Sequence, residues 1–149
     1  MARSSRQTDG VGERCVFCEI AAGAVDADVV LDDGVAVAFL DRSPVFKGHV
    51  LVIPRSHVVT LADLDPDLVG PFFERVQRIS RVLPSALDAH GTFVANNNIV
   101  SQSVAHLHVH VVPRRKQDGL RGFFWPREKY AIGEAAQYAD VIRTCLRGD

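Results

Sequence analysis

Residues 106–112 read His106-Leu107-His108-Val109-His110-Val111-Val112, a segment that few folds accommodate. Side chains alternate faces along an extended strand. The three imidazoles therefore share one face, and Leu107, Val109 and Val111 enter a core on the other. Three adjacent imidazoles are costly to bury without partners. They can act as metal ligands, nucleophiles or proton carriers near neutral pH. Three partly exposed histidines on an edge strand are the bland alternative, which the regular alternation and the Gln102-Ser103 lead-in disfavour.

The rest of the chain supplies the sheet and helices around that segment. Residues 1–13 are polar and aperiodic, which predicts a loose tail. Val16 to Ala22 forms a short helix in this reading, and Val29 to Asp32 and Val35 to Leu40 form a hairpin turning at Asp33-Gly34. His49 to Pro54 reads as a buried strand. Asp65 as N-cap with Pro66 at the first helical position starts a helix whose apolar stripe is Leu68, Phe72, Val76, Ile79, Leu83 and Leu87. Pro84 is expected to kink that helix or end it early, and Gly91 to stop the helical stretch. Thr92 to Asn96 and His106 to Pro113 complete five strands, and Glu134 to Leu146 is a C-terminal helix. Hairpin neighbours separated by one long helix predict an α+β fold with an antiparallel sheet, as a single domain over residues 14–149 with a C-terminal extension from about residue 114.

Composition narrows the class. A chain of 149 residues, 47% hydrophobic and 23% charged, fits one globular domain. No apolar run is long enough to span a membrane, and from the polar start no signal peptide is expected. Three cysteines make no disulfide scaffold, so a cytoplasmic, reducing compartment is expected. The net charge of -1 argues against DNA or RNA as partner. Arg114 to Lys129 nevertheless holds six basic and two acidic residues, a local +4 that leaves -5 elsewhere. That patch fits a phosphorylated small ligand. Cys15-x-x-Cys18 is half of a zinc site or a redox pair, and no thioredoxin-like context surrounds it.

The His-x-His-x-His segment with Gln102-Ser103-Val104 before it resembles the signature of the histidine triad (HIT) superfamily of nucleotide hydrolases and transferases, in its Fhit- and Hint-type branches. Gly48-His49-Val50-Leu51-Val52-Ile53-Pro54 and Phe39-Leu40-Asp41 resemble two further segments of that family. The resemblance runs from about Cys15 to Pro113. It implies a five-stranded antiparallel sheet with a long helix, and a homodimer.

It also implies a mechanism. A neutral imidazole attacks phosphorus and forms a phosphoramidate that water then breaks, which splits one difficult displacement into two easier ones. By resemblance the nucleophile is His108, His110 stabilises the phosphoryl oxygens, and Ser103 and Gln102 contact the phosphate and leaving group. Asp41 would read the ribose hydroxyls, Asn96 would sit beside the α-phosphate, and Phe17, Ile20 and Phe39 would wall a purine pocket, with adenine expected. His49 is placed near the phosphates. His57 and His106 would complete a Cys2His2 zinc site with Cys15 and Cys18. His110 stands where some relatives carry glutamine, which favours hydrolysis over transfer.

Arg114, Arg115 and Lys116 directly follow the triad strand, so they are expected to hold the further phosphates of a dinucleoside polyphosphate. Adenosine phosphoramidase activity is the alternative within the family. A zinc-stabilised nucleotide-binding module with weak turnover is the alternative outside enzymology. Phe123, Phe124 and Trp125 would stack on a second base or reach across a dimer, or simply pack. Many relatives carry glycines just before Gln-Ser-Val, whereas this chain has Asn98-Ile99-Val100-Ser101, so a differently shaped phosphate cradle is expected.

Overall fold

The structure is a computed structural model and describes residues 14–120 and 127–148. The aromatic loop at Phe123, Phe124 and Trp125 lies outside the described residues, as does the tail before Arg14. The chain divides into two compact units after Asp118.

The first unit is built on a five-stranded sheet: β1 (Val29–Asp32), β2 (Ala36–Leu40), β3 (Val50–Pro54), β4 (Gly91–Ala95) and β5 (Val109–Arg114). Their order is β1-β2-β3-β5-β4, and every neighbouring pair is antiparallel. Asp33 Oδ1 accepts the amides of Val35 and Ala36 at 2.8 and 3.0 Å, which closes the β1–β2 turn. The expected strand at residues 106–113 starts three residues later, because Val109 is the first residue to pair with β3. His106 and His108 lie in the segment entering it.

Helix α1 (Val16–Ala21) packs on one face of the sheet and α2 (Pro66–Leu87) on the other. The period-2 rule divides the strands cleanly. Ala36, Ala38, Val50, Val52, Val109 and Val111, together with Leu107, meet Phe72, Val76, Ile79 and Leu83 of α2. Val37, Phe39, Leu51 and Ile53 meet Phe17 and Ile20 of α1. Both faces of β2 and β3 are thus covered, which explains their near-continuous apolar runs.

Asp65 caps α2 by accepting the Asp67 amide at 2.9 Å, with Pro66 in the first turn. Pro84 does not end the helix early, for α2 continues through it to Leu87. The Arg115 guanidinium donates to the carbonyls of Leu87 and Asp88, two of the acceptors that the end of a helix leaves without intrahelical partners. Asp88, at φ 50, terminates the helix, and Gly91 instead opens β4. A 3-10 turn at Leu61–Asp63, not anticipated, leads into α2. The second unit contains α3 (Glu134–Leu146). Among the described residues no helix is long and apolar enough to cross a membrane.

Candidate active site

The triad segment emerges on the α1 face, where Leu51 of β3 pairs with His110. His106 and His108 are almost fully buried, and their rings stack edge-on against Phe17 at 6.0 and 5.2 Å. Beside them a cleft of ≈ 690 Å³ is lined by Val16, Phe17, Ile20, Phe39, Leu40, Leu51 and Val104 as apolar walls, with Asp41, Ser103, His108 and His110 as polar groups. Few polar groups converging in an apolar cleft is the usual form of a small-molecule site.

Hydrogen bonds assign the ring protons. His108 Nδ1 lies 2.8 Å from the His106 carbonyl oxygen, and a carbonyl only accepts, so Nδ1 carries the hydrogen and Nε2 keeps its lone pair. Asn96 Nδ2 donates to the His108 carbonyl at 3.1 Å and steadies the same turn of chain. His110 Nδ1 faces His49 Nε2 at 2.9 Å. Burial, then the neighbouring His108 and His49, push the His110 imidazole down to about 4. Burial likewise lowers His49, against the opposing charge of Asp41. Both rings are therefore neutral at pH 7.

Several residues are placed differently from the sequence expectation. His49 is buried behind His110 and does not line the cleft. Gln102 is turned into its own loop, donating to the Val59 carbonyl at 2.6 Å and accepting the Ile99 amide at 2.9 Å. Asp41 lines the cleft while its Oδ1 accepts the Ser43 amide at 2.8 Å, so it is a turn cap and a cleft carboxylate at once. Asp26, Asp28 and Arg42 also line the cleft and were not foreseen, because nothing in their spacing marks them.

The basic run lies elsewhere. Across the β4–β5 ladder Ala95 pairs with His110 but Gly91 with Arg114, four residues or roughly 13 Å further along an extended strand. Arg114 pairs with Asp118 at 2.6 Å, Arg115 serves the end of α2, and the Lys116 amide donates to His90 Nδ1 at 3.0 Å. The Arg114 and Arg115 side chains are thus engaged by Asp118 and by the end of α2, four residues along the strand from His110.

Cys15, Cys18, His57 and His106 converge, their ligand atoms all within 4.8 Å of one another. Cys15 Sγ and Cys18 Sγ lie 3.4 and 3.5 Å from His106 Nδ1, and Cys18 Sγ lies 3.2 Å from His57 Nδ1. A tetrahedral ion with bonds of about 2.3 Å to sulfur and about 2.0 Å to nitrogen needs edges of roughly 3.3–3.8 Å. His106 Nε2 donates to the Pro54 carbonyl at 2.9 Å, which leaves Nδ1 as the ligand atom. Burial and then Cys15 push the Cys18 thiol up to about 11, so without a cation that thiol stays protonated.

A HIT domain family model matches residues 22–117. The protein named Protein hit of Bacillus subtilis is 39% identical over 116 residues, covering 76% of this chain and 79% of its own length. An adenylylsulfatase of Arabidopsis thaliana is 32% identical over 140 residues, 89% of this chain and 69% of its own. An adenosine 5'-monophosphoramidase of Schizosaccharomyces pombe is 28% identical over 126 residues, 80% and 93% respectively. Among solved structures, a Streptococcus mutans protein superposes with a TM-score of 0.83 at 33% identity, covering 95% of this chain and 91% of that one. A zinc-bound histidine triad family protein of Mycobacterium smegmatis does so with a TM-score of 0.68 at 33% identity, covering 91% and 97%.

Proposed function

This chain belongs to the HIT domain family, and we propose that it hydrolyses nucleoside monophosphate conjugates through a covalent nucleotidyl-His108 intermediate. The observation that carries the reading is the 2.8 Å bond from His108 Nδ1 to the His106 carbonyl, which places the lone pair of the neutral ring on Nε2 as the nucleophile. The purine lies between Phe17, Ile20 and Phe39, and Asp41 accepts from the ribose hydroxyls. His108 Nε2 forms a bond to the α-phosphorus as the bond to the leaving group breaks. The leaving group keeps the bonding pair and takes a proton through Ser103 and water. His110 donates to a non-bridging oxygen throughout. Water then adds to phosphorus and gives up a proton to solvent, replacing the one taken by the leaving group, as the N–P bond returns its pair to Nε2 and the nucleoside monophosphate departs.

Charge decides the substrate class. Among the described residues lining the cleft, Arg42 is the one permanent cation, facing Asp26, Asp28 and Asp41, and it donates to the Asp26 carbonyl at 2.7 Å. Such a lining disfavours the further phosphates of a dinucleoside polyphosphate. It favours an adenosine phosphoramidate or adenylyl sulfate, the substrate types in the names of the Schizosaccharomyces pombe and Arabidopsis thaliana relatives. Single-phosphate conjugates thus replace the polyphosphates expected from the basic run.

Cys15, Cys18, His57 and His106 fit a closed structural zinc site, and the zinc-bound Mycobacterium smegmatis neighbour supports that assignment. Bound there, the ion supplies a cross-link between α1 and the triad segment. The proposed homodimer is supported by β4, a sheet edge with Val94 exposed beside a groove lined by Phe73, Val76 and Ser80. Light scattering at twice the 16.3 kDa chain mass checks it.

The deciding experiment is a substrate panel with a His108→Ala control. Adenosine phosphoramidate or adenylyl sulfate should be hydrolysed with kcat/KM at least about tenfold above a diadenosine polyphosphate, about 1.4 kcal/mol. His108→Ala should lose kcat by several orders of magnitude while still binding AMP. Retained turnover in that variant would sink the covalent mechanism. No turnover of any substrate by the wild type would leave a zinc-stabilised nucleotide-binding module.

A further inference from the structure

His106 joins two parts of the molecule that the proposed reaction keeps separate. Its ring Nδ1 faces the thiols of Cys15 and Cys18 at 3.4 and 3.5 Å, its ring Nε2 is tied to the Pro54 carbonyl at 2.9 Å, and its own carbonyl holds His108 Nδ1 at 2.8 Å. The residue is fully buried, so no water substitutes for any of these partners. A displacement of the Cys/His cluster reaches the nucleophile through a single peptide unit.

A second connection runs through α1. Cys15 is its N-cap and Cys18 lies in its first turn, bracketing Val16 and Phe17. Phe17 lies edge-on to His108 at 5.2 Å and to Phe39 at 5.4 Å, and with Ile20 it walls the cleft. A helix of six residues has little stability of its own. Its position depends on the packing of Phe17 and Ile20 and on the two cysteines.

We infer that Cys15, Cys18 and His57 are positioning residues for the reaction: a filled Cys2His2 cluster holds the His106 carbonyl against His108 and the α1 wall against the nucleotide, and an emptied cluster releases both. The cluster then governs nucleotide affinity and nucleophile geometry as well as stability. This rests on the proposed nucleotide reaction for its consequence, but its geometry can be read without turnover.

The test uses the full chain in zinc-loaded and chelator-stripped forms, with Cys18→Ser and His57→Gln variants. The readouts are the nitrogen chemical shifts of the His108 imidazole, the Kd for AMP and the melting temperature. In the loaded wild type the His108 hydrogen should reside on Nδ1. Stripping, or Cys18→Ser, should move the ring towards mixed tautomers and raise the AMP Kd by about tenfold or more. His57→Gln changes an exposed residue and keeps three ligands, so it should fold and show an intermediate shift. It carries the test with the stripped wild type if Cys18→Ser does not fold. A lower melting temperature with unchanged tautomer and unchanged AMP affinity would reduce the cluster to a staple and overturn the inference. Failure to take up zinc would overturn it equally. A tautomer shift in a chain that hydrolyses no nucleotide would overturn the proposed reaction and leave the positioning role standing.

Discussion

His49 Nε2 lies 2.9 Å from His110 Nδ1, and from the other side the Val45 amide donates to His49 Nδ1 at 3.1 Å. An amide N–H only donates, so the neutral His49 carries its hydrogen on Nε2 and gives it to His110. His110 must then hold its own hydrogen on Nε2, the nitrogen available to a phosphoryl oxygen. The Val45 backbone amide thereby sets the donor that stabilises charge on the substrate. His49→Ala should lower kcat about 10–100-fold with little change in nucleotide affinity. Steady-state kinetics with separate kcat and KM, alongside AMP titration, checks the split. An undiminished kcat would mean His110 orients without a partner.

The same two rings make stability depend on pH. Burial lowers His49, and burial with neighbouring imidazoles holds His110 to about 4, against an ordinary 6.5. Between pH 6.5 and 4 the unfolded histidines bind protons that the folded ones refuse, so stability is full above 6.5 and falls as the pH drops through that window. Urea midpoints measured across it should decline, and His110→Asn should flatten the slope by up to about one proton. Asp33 acts lower. The Ala36 and Val35 amides hold it to about 2, so its contribution disappears only as pH falls from 3.8 through that value.

Ile99 has φ 68 and Ser101 φ 59, left-handed values that glycine adopts freely. For a β-branched residue this is strain on the order of 1 kcal/mol or more. The Ile99 side chain is 68% exposed, so packing returns little of it. Ile99→Gly should therefore raise thermal stability by about 1 kcal/mol, after allowing for the entropy of glycine. A scanning calorimetry comparison decides it, and a drop in melting temperature would show that the side chain is held by something outside this chain.

Arg115 donates to the Leu87 and Asp88 carbonyls at the end of α2. Removing it should leave those two carbonyls without their guanidinium donor. Arg115→Ala is expected to lose about 1 kcal/mol of stability. Its ratio of kcat/KM between a polyphosphate and a phosphoramidate should match the wild type. A selective loss on the polyphosphate would return the basic run to the substrate.

Local order was readable from the residues themselves. Alternation placed Leu107, Val109 and Val111 in the core opposite the triad, and the three-to-four spacing of Phe72, Val76, Ile79 and Leu83 marked the buried face of α2. Those patterns report on periodicity, which the backbone imposes within a few residues. The convergence of Cys15, Cys18, His57 and His106 was anticipated only through the family resemblance, and the structure brings their ligand atoms together.

Partnership across the chain was not readable. His49 and His110 are 61 positions apart, and Arg115 and Leu87 are 28. Nothing in the run Arg114-Arg115-Lys116 distinguishes a phosphate grip from a helix cap, because the strand that carries it could end beside either. The β4–β5 register brings the run to the end of α2, by pairing Gly91 with Arg114. The amino-acid order by itself determined which side chains are apolar, which alternate and which can ligate or attack. Tertiary structure alone decided which nitrogen of each histidine holds its proton, since a tautomer is chosen by the acceptor or donor brought against the ring, and packing supplies that partner from distant parts of the chain.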